Sequence, residues 1–180
     1  MRFIVLTAVV LTLLAGEGAA QTGSTQQSQS RYRFPPQELG LLESPDRDVW
    51  QRPNEIMDAL NIADGSTVAD FGAGGGWFAI RLARRVGPNG RVYAVDFRPE
   101  MISALDRRIA REQLTNVVAV TATPDDARLP DRQVDAIVIV NSYAALPAPV
   151  PLLRSLTEAL RPGGRLGVVD FLPSGGGPGP

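Results

Sequence analysis

The chain has 180 residues, with 18 basic against 19 acidic side chains and a formal net charge of −1. That length suits one domain around one core, and the charge balance argues against a dedicated nucleic-acid binder. Cysteine and histidine are both absent, which excludes disulfides, thiolate or imidazole metal sites, a cysteine nucleophile and a Ser-His-Asp triad, and leaves acid–base work to carboxylates, tyrosine and the cationic side chains.

The first 20 residues read as a secretory signal. Arg2 supplies the positive start, Phe3–Ala15 the apolar stretch, and Gly18, Ala19 and Ala20 the small residues before a cut after Ala20. The stretch is short for a membrane span, so the expectation is an exported protein, periplasmic or secreted. An uncleaved N-terminal anchor and a cytoplasmic location are the alternatives. Residues 21–45 are expected to be a disordered or extended linker: Gln21–Ser30 is rich in Gln, Ser and Thr without periodicity. A lead segment, partly extended, runs on to Gln51 through Pro35-Pro36 and the charged cluster Ser44–Asp48.

From there a domain over 46–172 alternates helices and strands. A helix is predicted over Pro53–Leu60, with Ile56, Met57 and Leu60 on one face. A strand over Thr67–Phe71 leads into a glycine-rich turn, and a helix runs from Trp77 to about Val86. After the breakers Gly87–Gly90 come a strand over Arg91–Asp96 and a helix from Pro99 to about Glu112, buried through Met101, Ile102, Leu105 and Ile109. Strands follow over Val117–Thr121 and Val134–Asn141, the latter a nearly continuous apolar run typical of burial on both faces. A helix over Val150–Leu160 aligns Leu152, Leu153, Leu156 and Leu160, a last strand covers Arg165–Phe171, and 173–180 is a Gly/Pro tail. This alternation implies α/β architecture with a parallel sheet. Ligands bind such sheets beyond the carboxyl ends of the strands, at the topological switch point. Asp70, Asp96, Asp125, Asp126 and Asn141 all fall at strand ends.

The segment Thr67–Trp77 carries the most chemistry. An apolar strand ends in Asp70, glycines follow at 72, 74, 75 and 76, and a helix begins. Glycine lets a ligand approach the backbone closely, and the N–H groups of a helix start suit an anion. A nucleotide-like ligand is expected. The dinucleotide pattern G-x-G-x-x-G fails, because Trp77 stands where its third glycine belongs. The spacing that fits is Asp70 followed by Gly72-x-Gly74-x-Gly76. With Asp96 ending the second strand, Arg98-Pro-Glu-Met101 after it, and Leu160-Arg-Pro-Gly-Gly164 before the last strand, the chain resembles the class I S-adenosylmethionine-dependent methyltransferases from roughly Asp46 to Phe171.

The resemblance implies a three-layer sandwich with a mostly parallel, Rossmann-like sheet. The family fold closes with two further strands, so a sheet lacking the last two, in a C-terminally shortened chain, is expected. It also implies S-adenosylmethionine as cofactor, methyl transfer to a small-molecule or unknown acceptor, and no metal. Gly72, Gly74 and Gly76 would contact the cofactor through the backbone. Asp70 would support the loop and the amino group, Asp96 would accept both ribose hydroxyls, and Phe97 would pack on the adenine. Asp126 or Asp125 would receive the adenine amino group, and Asn141 and Tyr143 would face the methyl group. For each the alternative is structural: a plain turn, a solvated acid, a core ring, a lid. Trp50 can cap the cofactor or anchor the core, and Arg47 can pair with a carboxylate. Tyr143 is followed by Ala144, so no histidine base is at hand. Rival functions are a non-catalytic binding module of this fold and a nicotinamide-dependent oxidoreductase. The acceptor and the oligomeric state are not legible.

Overall fold

The computed structural model describes residues 43–170. The signal segment, most of the linker, Phe171 and the Gly/Pro tail therefore lie outside the described residues. In chain order the elements are α1 Arg47–Gln51, α2 Pro53–Ala59, β1 Thr67–Phe71, α3 Trp77–Val86, β2 Arg91–Asp96, α4 Pro99–Arg111, β3 Val117–Thr121, β4 Val134–Val140, a short 3₁₀ turn Tyr143–Ala145, α5 Pro149–Ala159 and β5 Leu160–Val169.

Two expectations need correction. Arg47–Gln51, the end of a lead segment read as partly extended and given no helix, is helical. Proline bars the preceding residue from continuing a helix but suits a first helical position. The chain breaks at Arg52, which adopts φ 51°, and Pro53 starts α2. The last strand, expected from Arg165, begins at Leu160. Arg-Pro-Gly-Gly is absorbed as an irregularity in the strand: Val134 pairs with Leu160, and Ala136 next pairs with Arg165. Gly163, at φ 81°, supplies the left-handed residue this bulge needs.

Among the described residues the sheet has five strands in the order β3-β2-β1-β4-β5, every neighbouring pair parallel. Its two faces fill two separate cores. On one, Val68, Val92, Ala94, Ala136 and Val138 pack against Met57 of α2, Phe78 and Leu82 of α3 and Leu105 of α4. On the other, Ala69, Phe71, Val95, Ile137 and Ile139 meet Leu152 and Leu156 of α5. The alternation within Ala136–Ile139 explains the continuous apolar run of β4: each face of the strand has its own core to fill. The layers are helix, sheet, helix. Some expected stripe residues, Ile102, Ile109, Leu153 and Leu160, are only partly buried at the margins of these cores.

Because β1 is central and the order reverses between β1 and β4, the carboxyl ends of β1, β2 and β4 converge on one switch point. Asp70 pairs in register with Ala94 and Val138, and Asp96 ends β2 beside Thr121.

Candidate functional site

The glycine turn is held from three sides. Gly72 and Ala73 donate their N–H groups to Val95 O at 2.8 and 3.0 Å. Gly72 sits at φ 79°, and a Cβ there would collide with Oγ of Ser142, which itself donates to Phe71 O at 3.2 Å. Gly74 N–H donates to Asp96 Oδ2 at 3.1 Å. Gly76, at φ 85°, precedes α3, and a Cβ there would lie 2.8 Å from Leu105 Cδ2.

Glycine offers α3 no side-chain cap, and Asp70 takes over from β1: its carboxylate accepts the Ala79 backbone N–H in the first turn. Asp70 is only 2% exposed. Its Oδ2 has no hydrogen-bond partner among the described residues. Burial pushes this carboxyl up to about 7, against the opposing charge of Arg47; the charge of Asp96 adds to the rise. The site thus contains a buried carboxyl poised near neutrality with one oxygen to spare. Asp96 is fully buried and completely engaged, by Gly74 N–H and by Arg98 through both its backbone and its guanidinium.

Helix α1 covers this region. The buried Arg47 guanidinium lies 4.0 Å from the ring centroid of Trp77 and 5.8 Å from that of Trp50. Arg81 lies 3.5 Å from the same Trp77 ring. Burial pulls Arg47 down to about 10, with Asp70 the largest opposing influence. Asp48 accepts a fork from Arg81, Nε to Oδ1 at 2.7 Å and Nη2 to Oδ2 at 2.6 Å, and this hydrogen bonding holds its carboxyl below the usual range. At its far end α1 reaches β4: Asn141 Nδ2 donates to Gln51 Oε1 at 2.8 Å. Asn141 itself leaves β4 at φ 51°. Arg108 of α4 pairs with Glu43 and donates to Gly75 O at 3.0 Å.

Asp70, the three glycines, Asp96 and Asn141 are therefore linked through one set of contacts around the switch point. Phe97 packs at the margin of the second core. Tyr143 is 39% exposed in the 3₁₀ turn. Asp125 and Asp126 are engaged in the loop after β3. Asp125 accepts from Thr123 Oγ1 at 2.8 Å, and Asp126 Oδ1 accepts from Arg128 N–H at 2.8 Å and Ser155 Oγ at 2.9 Å. Those bonds hold Asp126 below the usual carboxylate range and tie the loop to α5. Ser142 was expected only as part of the Asn141-Ser142-Tyr143 stretch at the end of β4, and neither Arg98 nor Gln51 had a role of its own in the sequence. Arg98 had a faint signal, a cation two residues after the strand-end acid; Gln51 had none, because its contact spans 90 positions.

Residues 68–164 match the family of methyltransferase domains. The chain belongs to that family. A methyltransferase from Aquifex aeolicus, described as S-adenosylmethionine-dependent, superposes with a TM-score of 0.73 at 27% identity, covering 81% of this chain and 80% of that one. The ubiquinone/menaquinone biosynthesis C-methyltransferase of Pasteurella multocida is 32% identical over 129 residues, 68% of this chain and 46% of the relative. The demethylmenaquinone methyltransferase of a Geobacillus strain is 27% identical over 112 residues, 62% of this chain and 48% of the relative. The chain spans about half the length of these curated relatives. Membership in the methyltransferase family sets aside the nicotinamide reading. It also separates two parts of the site: the glycine turn and Asp96 lie within the matched segment, whereas Arg47, Trp50 and Gln51 lie before it.

Proposed function

We propose that this chain binds S-adenosylmethionine across the β1–β2 edge of the switch point and transfers its methyl group to a small-molecule acceptor. The observation that carries the reading is the pair of buried carboxylates, Asp70 and Asp96, at the ends of adjacent strands on either side of the glycine turn. The residues fit the cofactor. A buried carboxylate oxygen with no partner among the described residues, Asp70 Oδ2, suits the cationic amino group. Arg47, still protonated at neutral pH, suits the carboxylate of the same amino-acid end. Asp96 suits the ribose diol, and Phe97 suits packing on the adenine ring. Asp125 and Asp126 remain proposed adenine-side acceptors, with Asp126 Oδ1 already accepting from Ser155 and Arg128.

When bound, the cofactor supplies an electrophilic methyl on a sulfonium, already an activated leaving group. The protein's task is then to hold the acceptor in line and exclude water. Asn141 and Tyr143 stand at the end of β4 to orient it. The chain has no histidine, so a proton lost by the acceptor passes to a carboxylate, the tyrosine or solvent. The two curated relatives are named for quinone methylation, which makes a demethylated quinone the first acceptor to assay. We also propose export, with the mature chain starting at Gln21, on the pattern of residues 1–20.

Calorimetric titration with S-adenosylhomocysteine tests the core of the proposal. Asp96→Ala should weaken binding, because the ribose hydroxyls lose a charged acceptor whose hydrogen bonds are each worth about 1.5–3 kcal/mol before the cost of displacing the Arg98 donors that hold it. Unchanged affinity in that variant contradicts the assignment.

A further inference from the structure

A carboxylate has about four lone-pair positions on its two oxygens, and at Asp96 four donors hold them. Oδ1 accepts from Arg98 N–H at 3.0 Å and Arg98 Nε at 3.1 Å; Oδ2 accepts from Gly74 N–H at 3.1 Å and Arg98 Nη2 at 3.1 Å. Two of these donors are main-chain groups, fixed by the glycine turn and by the end of β2. The other two belong to a single guanidinium and take one position on each oxygen. A ribose that donates both hydroxyls to Asp96 needs those same two positions, one on each oxygen. The guanidinium and the diol are mutually exclusive.

We propose that Arg98 is a built-in competitor in the ribose site: its guanidinium fork holds the diol positions of Asp96 and must swing out before an adenosyl ligand can seat. The proposal rests on the S-adenosylmethionine reading above. The side chain borders solvent. It is 26% exposed, whereas the Asp96 side chain is 1% exposed, and the exchange leaves both backbone donors in place. The Phe97 ring, its centroid 5.9 Å from the guanidinium carbon, offers a cation–π partner during the swing. Because only the open form binds, the apparent affinity is reduced by the fraction of molecules in which the fork has opened.

The test is a double-mutant cycle read as S-adenosylhomocysteine affinity by calorimetry, over wild type, Arg98→Ala, Asp96→Ala and the double variant. Arg98→Ala should bind on the order of tenfold tighter than wild type, equivalent to about 1.4 kcal/mol. Arg98→Lys, a point charge without a fork, should fall between them, and it carries the test if Arg98→Ala does not give a cooperative melt. In the Asp96→Ala background, removing Arg98 should change nothing, because the guanidinium has nothing left to hold. Weaker binding by Arg98→Ala would show that the guanidinium contacts the ligand, and equal binding would show that it does not compete; either result overturns the proposal. Wild-type binding without the gain defeats this inference alone. Failure of wild type and of both Arg98 variants to bind overturns the cofactor reading, and the inference with it.

Discussion

Asp70 performs two tasks that pull in different directions. Its carboxylate caps α3 through Ala79 N–H and keeps a second, buried oxygen that has no partner among the described residues. The unfolded chain releases the Asp70 proton near 3.8, whereas burial holds it in the folded protein up to about 7. Between these values the folded state carries a proton that the unfolded state has lost. The Asp70 contribution to stability therefore falls as pH rises from about 4 to about 7 and is level above that. Chemical denaturation across this range should show the slope, and Asp70→Asn should flatten it; an unchanged slope in the variant assigns the dependence to another group. A cationic amino group against Oδ2 favours the ionised carboxylate, so ligand binding near pH 6 should expel a proton. Titrations in two buffers of different ionisation enthalpy should then give different apparent heats.

The strand–glycine–helix unit shows how far the sequence could be read and where it stopped. Its bounds, Thr67–Phe71 and Trp77–Val86, follow from an apolar run, a set of glycines and a 3.6-residue repeat, all local signals. Gly76 needs to be glycine on two counts: its φ of 85° and the 2.8 Å approach that a Cβ would make to Leu105. Gly76→Ala should lose about 1–2 kcal/mol from the left-handed backbone alone, more with the contact, read as a lower urea midpoint at unchanged m-value. A neutral result would mean that the turn relaxes freely. α1 was not legible, because its five residues have too short a repeat to register and its contacts to Trp77, Arg81 and Asn141 are all distant in sequence. The early start of β5 was hidden for a related reason. Arg-Pro-Gly-Gly has the composition of a turn, and only pairing with Val134 on one side and Ala136 on the other makes it part of a strand. Of the site, the acids and glycines at strand ends were readable from topology. The partners that saturate Asp96 or bridge to Asn141 depend on side-chain geometry that no spacing encodes.

For the whole molecule, the sheet order explains why the candidate residues gather at a single edge: parallel strands all deliver their carboxyl ends to one side, and the order reverses there between β1 and β4. No helix among the described residues is long and apolar enough to cross a membrane. Export is tested on the protein expressed from its native start, where mass spectrometry should find Gln21 as the first residue; an intact Met1 in a soluble cytoplasmic fraction contradicts it. The placement of the two tryptophans of the chain, Trp50 and Trp77, has an optical consequence. Both lie against the same Arg47 guanidinium, on the helices that cover and follow the glycine turn. Tryptophan emission thus comes from one small zone beside Asp70, without a second fluorophore of this type elsewhere to dilute it. Filling the site changes the charge around Arg47 and should shift both the intensity and the wavelength of that emission, making the native protein its own reporter of occupancy. An emission spectrum indifferent to saturating S-adenosylhomocysteine, in a sample shown by calorimetry to bind it, would mean that the amino-acid end of the ligand settles away from Arg47.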